Sequence, residues 1–439
     1  MKIGIIGCGY VFDHYMATWN RYPGLVIAGI ADIDALRRDR AAAFYELKAY
    51  ASNDALLADP EIGVVINLTS IRSHYEVTRT ALNAGKHVYS EKPLVTDMDQ
   101  ARELFDLAES KGLRLSSAPS NALGDTTQTM WKAVRDGAVG DVRTVYAEFD
   151  DNVIYLMHPE DWRSRTGAPW PYLHEYEAGC TFEHVGYHLT WLCAIFGPVE
   201  SVTAFSKQTL PDKTNKPLDP PNTPDFSVAC LNFKSGVVGR VTCSIGAPYD
   251  HRMRVFGNKG MISADTYRDY RCPVYLERFS QLSLNARKAM SVRRNSFLQW
   301  LFGVRGRKLP LLCLPPPGSA NCGVQPKIKW WKLGEVFRTL KLRELGQQDK
   351  VLGIAELADA IATGRPSFPS HAFTLHLTEL TLAIQRAGIA NAAYRLETTF
   401  EPSEPRPETL ASRINYANFG EPNWLQQRID AFLISMHKH

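Results

Sequence analysis

The sequence predicts an α/β protein that begins with a doubly wound parallel sheet and continues into an α+β region with an open, mostly antiparallel sheet. Over residues 1–119, short apolar stretches alternate with amphipathic ones, which is typical of parallel strands joined by helices. Residues 142–275 instead alternate apolar and polar positions and carry turn signals such as KSG and GNKG, which indicates antiparallel strands. A chain of 439 residues is also long enough for two domains.

The opening stretch MKIGIIGCGYVFDHY combines an apolar strand with the pattern G-x-G at Gly7 and Gly9. Such glycines permit a tight turn and let a pyrophosphate approach the backbone at a helix N-terminus. Phe12 stands where a third glycine would serve helix–strand packing, so we expect a shifted helix and an intact phosphate site. The loop therefore predicts a dinucleotide site that includes Tyr10 and Val11.

Asp32 ends the second predicted strand, LVIAGIAD. An acid at this point accepts hydrogen bonds from ribose hydroxyls and repels a 2′-phosphate, which favours NAD over NADP. Arg37 and Arg38 follow one turn later and keep NADP as the alternative. Another interpretation is that Asp32 caps a helix in a sheet that binds no nucleotide.

The remaining elements continue the alternation of strand and helix. GVVINLTS and HVYSEKP are predicted strands on either side of the predicted helix SHYEVTRTALNAGK. The next helix, DMDQARELFDLAESKG, has Asp97 as its N-cap and Gly112 as its stop, and the strand LRLSSAP follows. This pattern completes a parallel sheet with helices on its faces.

Residues 69–94, TSIRSHYEVTRTALNAGKHVYSEKPL, resemble the glucose–fructose oxidoreductase, inositol dehydrogenase and rhizopine-catabolism (Gfo/Idh/MocA) family of NAD(P)-dependent oxidoreductases. The matches are the histidine, A-L-x-A-G-K-H-V and E-K-P, whereas a serine replaces the family's usual proline. The resemblance implies a two-domain protein, with a Rossmann domain first and NAD as the cofactor. It also implies cofactor contacts from Thr69, Ser70, His74, Glu91 and Lys92.

Later stretches resemble the same family, namely AVGDVRTV, DWR, GCTFEHVGYHLTWLCAIFG, FGNKGMISAD and the closing helices of residues 353–384. The resemblance implies a dinucleotide-binding domain at 1–121, a substrate and oligomerisation domain at 122–387, and a tail with one helix at 388–439. It further implies a homo-oligomer and a substrate pocket whose candidate lining residues are Trp162, Arg163 and Tyr176.

Lys92 follows a predicted strand and precedes Pro93, which favours an extended backbone at the lysine. Its ammonium is therefore expected at the carboxyl edge of the sheet, where ligands bind in open α/β folds. In the resembled family this lysine contacts the substrate hydroxyl, and a cation there stabilises a developing alkoxide. The alternative is a surface lysine paired with Glu91.

His184 and His188 lie four residues apart and so share one face of a predicted helix. When the family pattern is aligned on Gly186, His188 takes the acid–base position and His184 stands where an aspartate is usual. Histidines at this spacing also suit a metal, but no third ligand is spaced nearby, so we expect no metal. The other interpretation places both rings in the core, beside Trp191 and Trp162.

The resemblance implies hydride transfer between a nicotinamide and a secondary alcohol of a sugar, cyclitol or nucleotide sugar. His188 would exchange the hydroxyl proton and Lys92 would hold the oxygen. Two other classes stay open: an enzyme that cycles bound NAD while it cleaves or epimerises a glycoside, and a non-catalytic dinucleotide-binding sensor. The presence of Lys92 and His188 argues against the sensor.

A basic insert at about residues 280–345 does not match the family. It holds 13 Lys or Arg and only two acids, with aromatic residues interleaved. Three interpretations stay open: a basic loop packed at the domain edge, a surface for anionic substrates such as nucleotide sugars, and a peripheral membrane contact. No recognised nucleic-acid module accompanies these charges, so we expect no nucleic-acid partner.

Composition and the terminal segments complete the prediction. Eight scattered cysteines without C-x-x-C, and no signal-peptide pattern, predict a cytoplasmic protein with buried free thiols. A proline-rich loop at residues 210–225 is expected near the site. The helix NWLQQRIDAFLISMHK is expected to pack on the core or on a neighbouring subunit.

Overall fold

Two β-sheets with helices packed against them organise the chain in a computed structural model. The structure describes residues 1–319, 331–332, 336, 340, 344, 346–389, 392–419 and 422–436. Two apolar core clusters surround the first sheet and one lies against the second, and Phe368 packs against a cluster of each sheet. The predicted α/β fold is confirmed.

The first sheet is parallel, with the order β2-β1-β3-β4-β5. Its strands are β1 (Lys2–Ile6), β2 (Val26–Ala31), β3 (Val64–Asn67), β4 (His87–Ser90) and β5 (Leu115–Ser117). The helices between them are α1 (Phe12–Trp19), α2 (Ala35–Tyr45), α3 (Asn53–Leu57), α4 (Ile71–Asn83) and α5 (Met98–Ser110). The strand order reverses between β1 and β3, the position at which open α/β sheets bind ligands.

The structure confirms the predicted N-cap of α5 and shows the surroundings of Phe12, whose expected shift of α1 stays a prediction. Asp97 caps α5 by accepting hydrogen bonds from the backbone N–H groups of Asp99 and Gln100, at 2.9 and 3.2 Å. Phe12, in place of a third glycine, is fully buried and packs edge-on against Tyr45 with ring centroids 5.7 Å apart. Its side chain therefore fills space between helix and strand. With a glycine at this position, the helix and the strand would pack closer together.

The second sheet is mixed and mostly antiparallel, with the order β14-β13-β12-β11-β6-β9-β8-β7-β15 and with β10 paired to β6. β6 and β9 run parallel. The strands are β6 (Val142–Val153), β7 (Val199–Lys207), β8 (Phe226–Phe233), β9 (Val238–Ser244), β10 (Gly246–Asp250), β11 (Met253–Gly257), β12 (Gly260–Ala264), β13 (Val274–Arg278), β14 (Arg307–Lys308) and β15 (Ala393–Arg395).

Helices of the later chain lie before, between and after these strands. They are α6 (Asp125–Arg135), α7 (Tyr172–Ala178), α8 (Gly186–Phe196), α9 (Gln281–Ala286), α10 (Met290–Arg294), α11 (Ser296–Leu301), α12 (Val351–Thr363), α13 (His371–Gln385), α14 (Pro407–Ala411) and α15 (Trp424–Met436). A π-helical turn, Thr181–Val185, leads into α8. No helix in the described part of the chain is long and apolar enough to cross a bilayer.

Helix α12 returns from the second half of the chain to the first sheet. Val351, Ile354 and Leu357 are fully buried in the same core cluster as Ile3 and Tyr15. The segment before α12 is thereby brought to the carboxyl edge of the parallel strands. The domain boundaries that the sequence predicts do not include this return.

Candidate active site

A cavity of about 760 Å³ lies at the carboxyl ends of the parallel strands and is closed on its other side by α7 and the π-helical turn. Gly7, Gly9 and Asp32 line one end, and Lys92, Glu175 and His184 line the other. Its lining combines backbone turns, charged groups and aromatic rings, which is typical of small-molecule sites.

The glycine loop fits the phosphates of a dinucleotide. Gly7 has φ +102°, and a Cβ there would lie 2.6 Å from the carbonyl carbon of Leu68, so only glycine suits this turn. Around Gly9, by contrast, a Cβ would meet nothing within 4 Å and would project into open space. The loop leads into α1, whose N-terminal N–H groups favour an anion. The predicted Tyr10 and Val11 also line this end of the cavity.

Asp32 is held rigidly at the end of β2. Its carboxylate accepts hydrogen bonds from the N–H of Cys8 at 2.7 Å and from that of Asp34 at 2.8 Å. Arg37 approaches the same carboxylate at 3.8 Å, whereas Arg38 donates to the carbonyls of residues 50 and 51, away from the cavity. The carboxylate therefore dominates this end, which fits ribose hydroxyls better than a 2′-phosphate.

The predicted contacts at Thr69, Ser70, His74 and Glu91 all line the cavity. His74 is buried, with Nδ1 2.7 Å from the carbonyl oxygen of Pro93 and Nε2 3.1 Å from that of Thr69. It thus ties the turn before α4 to the segment after Lys92. In this geometry His74 holds together two segments that line the cavity.

Glu91 is buried and bound on all sides. It accepts hydrogen bonds from the Lys350 ammonium at 2.7 Å, the Tyr15 hydroxyl at 3.1 Å and the Lys92 N–H at 2.9 Å. Burial by itself would raise the pKa of Glu91, but the two lysine charges outweigh it and lower the pKa to about 2. Glu91 is therefore occupied by Lys350, and the side chain of Lys92 points elsewhere.

Lys92 extends across the cavity to Glu183. Its ammonium donates to the Glu183 carboxylate at 2.6 Å and to the Glu183 carbonyl at 2.5 Å. Burial would lower the pKa of Lys92, but the carboxylate beside it raises the pKa above the usual value. An ammonium has three N–H donors, so one remains for a ligand oxygen in the cavity.

His184 lies between these charges, stacked on Phe149 with ring centroids 4.5 Å apart. Its Nε2 lies 3.9 Å from Glu175 Oε2, an atom that is buried without a hydrogen-bond partner among the described residues. Burial and the nearby Lys92 charge lower the pKa of His184 well below 6.5, so the imidazole is neutral. Burial and the Glu183 charge raise the pKa of Glu175 well above its usual value, which favours its protonated form.

The structure does not place His188 at the cavity. Its ring is fully buried, with Nε2 2.7 Å from the carbonyl oxygen of Glu148 and Nδ1 accepting from the Trp191 indole N–H at 2.8 Å. Both ring nitrogens are thus occupied, which fits neither proton exchange with a substrate nor a shared metal with His184. His184, one helical turn earlier, lines the cavity instead.

Of the three predicted substrate residues, one lines the cavity and two do not. Trp162 lines the cavity, and its ring centroid is 4.7 Å from that of Trp170. Arg163 is exposed and its guanidinium donates to the carbonyls of residues 160 and 162, while Tyr176 is buried beside Tyr172. Neither of these two is among the residues that line the cavity.

Sequence reasoning missed several residues of this cavity, among them Glu175, Tyr187, Arg268 and Lys350. Glu175 adjoins the predicted Tyr176, and the helical direction of α7 decides which of the two faces inward. Lys350 lies just before the closing helices of residues 353–384, and no pattern in that stretch indicates that it reaches the cavity. The proline-rich loop contacts the outer side of α7, where the Thr223 hydroxyl donates to the carbonyl of residue 177 at 2.9 Å.

Comparison with known proteins supports this architecture. A family model described as an oxidoreductase family with an NAD-binding Rossmann fold matches residues 1–118, and the GFO/IDH/MocA C-terminal domain matches residues 127–263. Trans-1,2-dihydrobenzene-1,2-diol dehydrogenase of Bos taurus is 26% identical over 267 residues, 60% of this chain and 73% of that protein. Myo-inositol 2-dehydrogenase of Thermotoga maritima is 27% identical over 275 residues, 61% and 76% of the two chains.

Solved structures share the fold across most of the chain. A levoglucosan dehydrogenase in complex with NADH and levoglucosan has a TM-score of 0.66 at 18% identity, covering 90% of this chain and 99% of that one. An Agrobacterium radiobacter oxidoreductase in complex with NAD+, L-tartaric acid and magnesium has a TM-score of 0.63 at 17% identity, covering 90% and 98%. With both family models matched and the glycine loop, Asp32 and Lys92 around one cavity, the chain belongs to the Gfo/Idh/MocA family of NAD-binding oxidoreductases.

Proposed function

We propose that this protein transfers a hydride between NAD and a secondary alcohol of a sugar, cyclitol or nucleotide sugar. One observation supports the proposal above all: a single cavity joins the glycine loop and Asp32 to a protonated lysine and a neutral histidine. Relatives that act on a cyclitol or a dihydrodiol agree with a ring carrying adjacent hydroxyls.

We assign the proton exchange to His184 and the oxygen contact to Lys92. The neutral imidazole has an unprotonated ring nitrogen that accepts the hydroxyl proton as the alcohol is oxidised. The remaining N–H of Lys92 donates to the same oxygen and stabilises its negative charge. Glu175 Oε2, 3.9 Å from His184 Nε2, lies beside the imidazolium that forms. When bound, NAD supplies the nicotinamide carbon that takes up the hydride.

The test is turnover of purified protein with NAD and a panel of cyclitols, free sugars and nucleotide sugars, followed by NADH absorbance. We expect stoichiometric NADH from one chemical class. Product without net NADH would instead favour transient oxidation by retained NAD. A protein that binds NAD and turns over no member of the panel would favour the sensor.

The proposal extends to assembly and location. We propose a homo-oligomer that pairs through the second sheet, where Phe205 is an outward-facing apolar residue, 38% exposed. A cytoplasmic location is supported by the buried free thiols of Cys8, Cys180, Cys193, Cys243 and Cys272. We also propose that the basic insert brings the protein to a membrane surface, a contact separate from the hydride-transfer chemistry.

A further inference from the structure

The basic insert and the C-terminal helix meet at one edge of the second sheet. The Asp430 carboxylate in α15 accepts a hydrogen bond from the N–H of Leu282 in α9. In the same helix, Gln426 donates to the carbonyl of Leu301 in α11 at 3.3 Å. Helices α9, α11 and α15 therefore form one unit, in which α15 packs on the insert.

Helix α15 presents a full apolar face to solvent. None of its residues is buried. At about 100° per residue, Trp424, Leu425, Phe432 and Met436 fall within about 120° of the helix circumference. Gln426 and Asp430, which bind the insert, project from the other side. The apolar face is therefore left without a partner in the described chain.

Helix α11 adds a second cluster of the same kind. Phe297 is 63% exposed, Trp300 is 71% exposed, and their ring centroids are 5.9 Å apart. Leu301 follows on the same face. We call the exposed apolar residues on these two helix faces the platform: Phe297, Trp300, Leu301, Trp424, Leu425, Phe432 and Met436.

The charge around the platform is strongly positive. Residues 280–319 contain seven Lys or Arg and no Asp or Glu. Six of these cations are exposed: Lys288, Arg293, Arg294, Arg305, Arg307 and Lys308. Arg428 adds a further cation on the platform itself, 4.7 Å from the centroid of the Trp424 ring. Exposed Trp, Phe and Leu bordered by Arg and Lys are typical of segments that lie in the interface of an anionic bilayer.

The two other interpretations of the insert, a packed edge loop and a surface for anionic substrates, account for fewer of its described residues. Among the described residues of the insert, residues 309–314 form a packed edge segment, in which the N–H of Leu312 donates to Thr129 at 3.0 Å and that of Leu314 donates to Asp125 at 3.2 Å. To bind an anionic substrate, the insert would have to reach the cavity. None of the described residues of the insert lines the cavity. From the platform and its charges we infer that α11 and α15 together form a docking surface for anionic lipid. This assignment depends on the proposed membrane contact of the insert, and it is independent of the proposed reaction.

The test is flotation of the full chain with vesicles of phosphatidylcholine, with and without phosphatidylglycerol. We expect binding only to the anionic vesicles, with a blue shift of tryptophan fluorescence, and release at 1 M salt, where the Debye length is about 3 Å. The double variant Trp300→Ser/Trp424→Ser should bind at least about tenfold more weakly, because both rings leave the interface. The matched control is Ile389→Ser/Arg395→Gln, which removes an exposed apolar residue and an exposed cation beside β15, at the opposite edge of the sheet.

Each outcome decides a separate question. If the wild-type protein ignores anionic vesicles, the membrane contact of the insert is refuted. If both double variants float as the wild type does, the insert contacts lipid but the platform is not the surface. If Trp300→Ser/Trp424→Ser instead converts an oligomer into monomers, a second copy of the chain covers the platform. NAD binding by each variant confirms folding, and turnover is expected to stay unchanged.

Discussion

Replacing each of the two histidines by alanine is the sharpest test of the site. His184→Ala removes the only described imidazole that both lines the substrate end of the cavity and adjoins Lys92 and Glu175. Loss of a general acid–base group typically lowers turnover by about 100- to 10,000-fold. That loss corresponds to about 3–6 kcal/mol in the activation free energy, at about 1.4 kcal/mol per tenfold. We expect little change in NAD binding or in stability.

His188→Ala should act on stability instead. It leaves the Trp191 indole N–H and the Glu148 carbonyl buried without their partner. Each such group costs about 1–3 kcal/mol, so we expect about 2–6 kcal/mol from the two together. The side chain is fully buried, and the cavity left behind adds to that cost.

The assay measures turnover per folded molecule and the free energy of unfolding in urea for both variants. We expect His184→Ala to be inactive and stable, and His188→Ala to be destabilised but active where it is folded. The reverse result, with activity lost only in His188→Ala and its stability unchanged, would refute the assignment. Equal loss of activity in both variants at unchanged stability would show that His188 acts on the reaction through His184.

Three further predictions concern other parts of the cavity. Lys92→Ala should lower turnover about 100- to 10,000-fold with little change in NAD titrated by tryptophan fluorescence; normal turnover would exclude its contact with the substrate oxygen. Asp32→Asn should raise the affinity for NADP relative to NAD, because it removes the negative charge that opposes Arg37; an unchanged preference would show that Asp32 does not select the cofactor. Glu175→Gln should become increasingly more stable than the wild type as the pH rises above about 4.3, the unfolded pKa of glutamate. The native pKa of Glu175 is raised, so the proton on its carboxyl stabilises the folded wild type. This contribution to the free energy of unfolding is lost as the pH rises through the native pKa of Glu175. A pH-independent difference in thermal unfolding would contradict the buried, protonated carboxyl.

Residues whose position depends on a local pattern were predicted best. Asp32 and Lys92 each follow the end of a parallel strand, and such ends meet at one edge of the sheet whatever the later chain does. Phe12 likewise could be assigned to packing, because the third glycine of such loops makes no phosphate contact. These predictions needed only the alternation of strand and helix.

The two histidines show where a local pattern is not enough. Their spacing correctly indicated a shared face, since both rings contact Phe149. The helix runs away from the cavity, however, so the second histidine lies one turn deeper, in the core beside Trp191. Depth along a helix depends on where the cavity ends, and that is set by β6 and α7, which are distant in sequence.

The charged residues of the cavity depend most strongly on segments that are distant in sequence. Lys350, Glu91, Lys92 and Glu183 alternate in sign, through ion pairs of 2.7 Å between the first two and 2.6 Å between the last two. The first sheet supplies Glu91 and Lys92, the π-helical turn supplies Glu183, and the return to α12 supplies Lys350. A buried charge without its partner is strongly destabilising, so none of these groups is tolerated until the others are in place. The ammonium of Lys92 is therefore fixed only when both sheets and α12 have assembled, which makes the substrate end of the cavity a property of the whole fold rather than of the E-K-P motif.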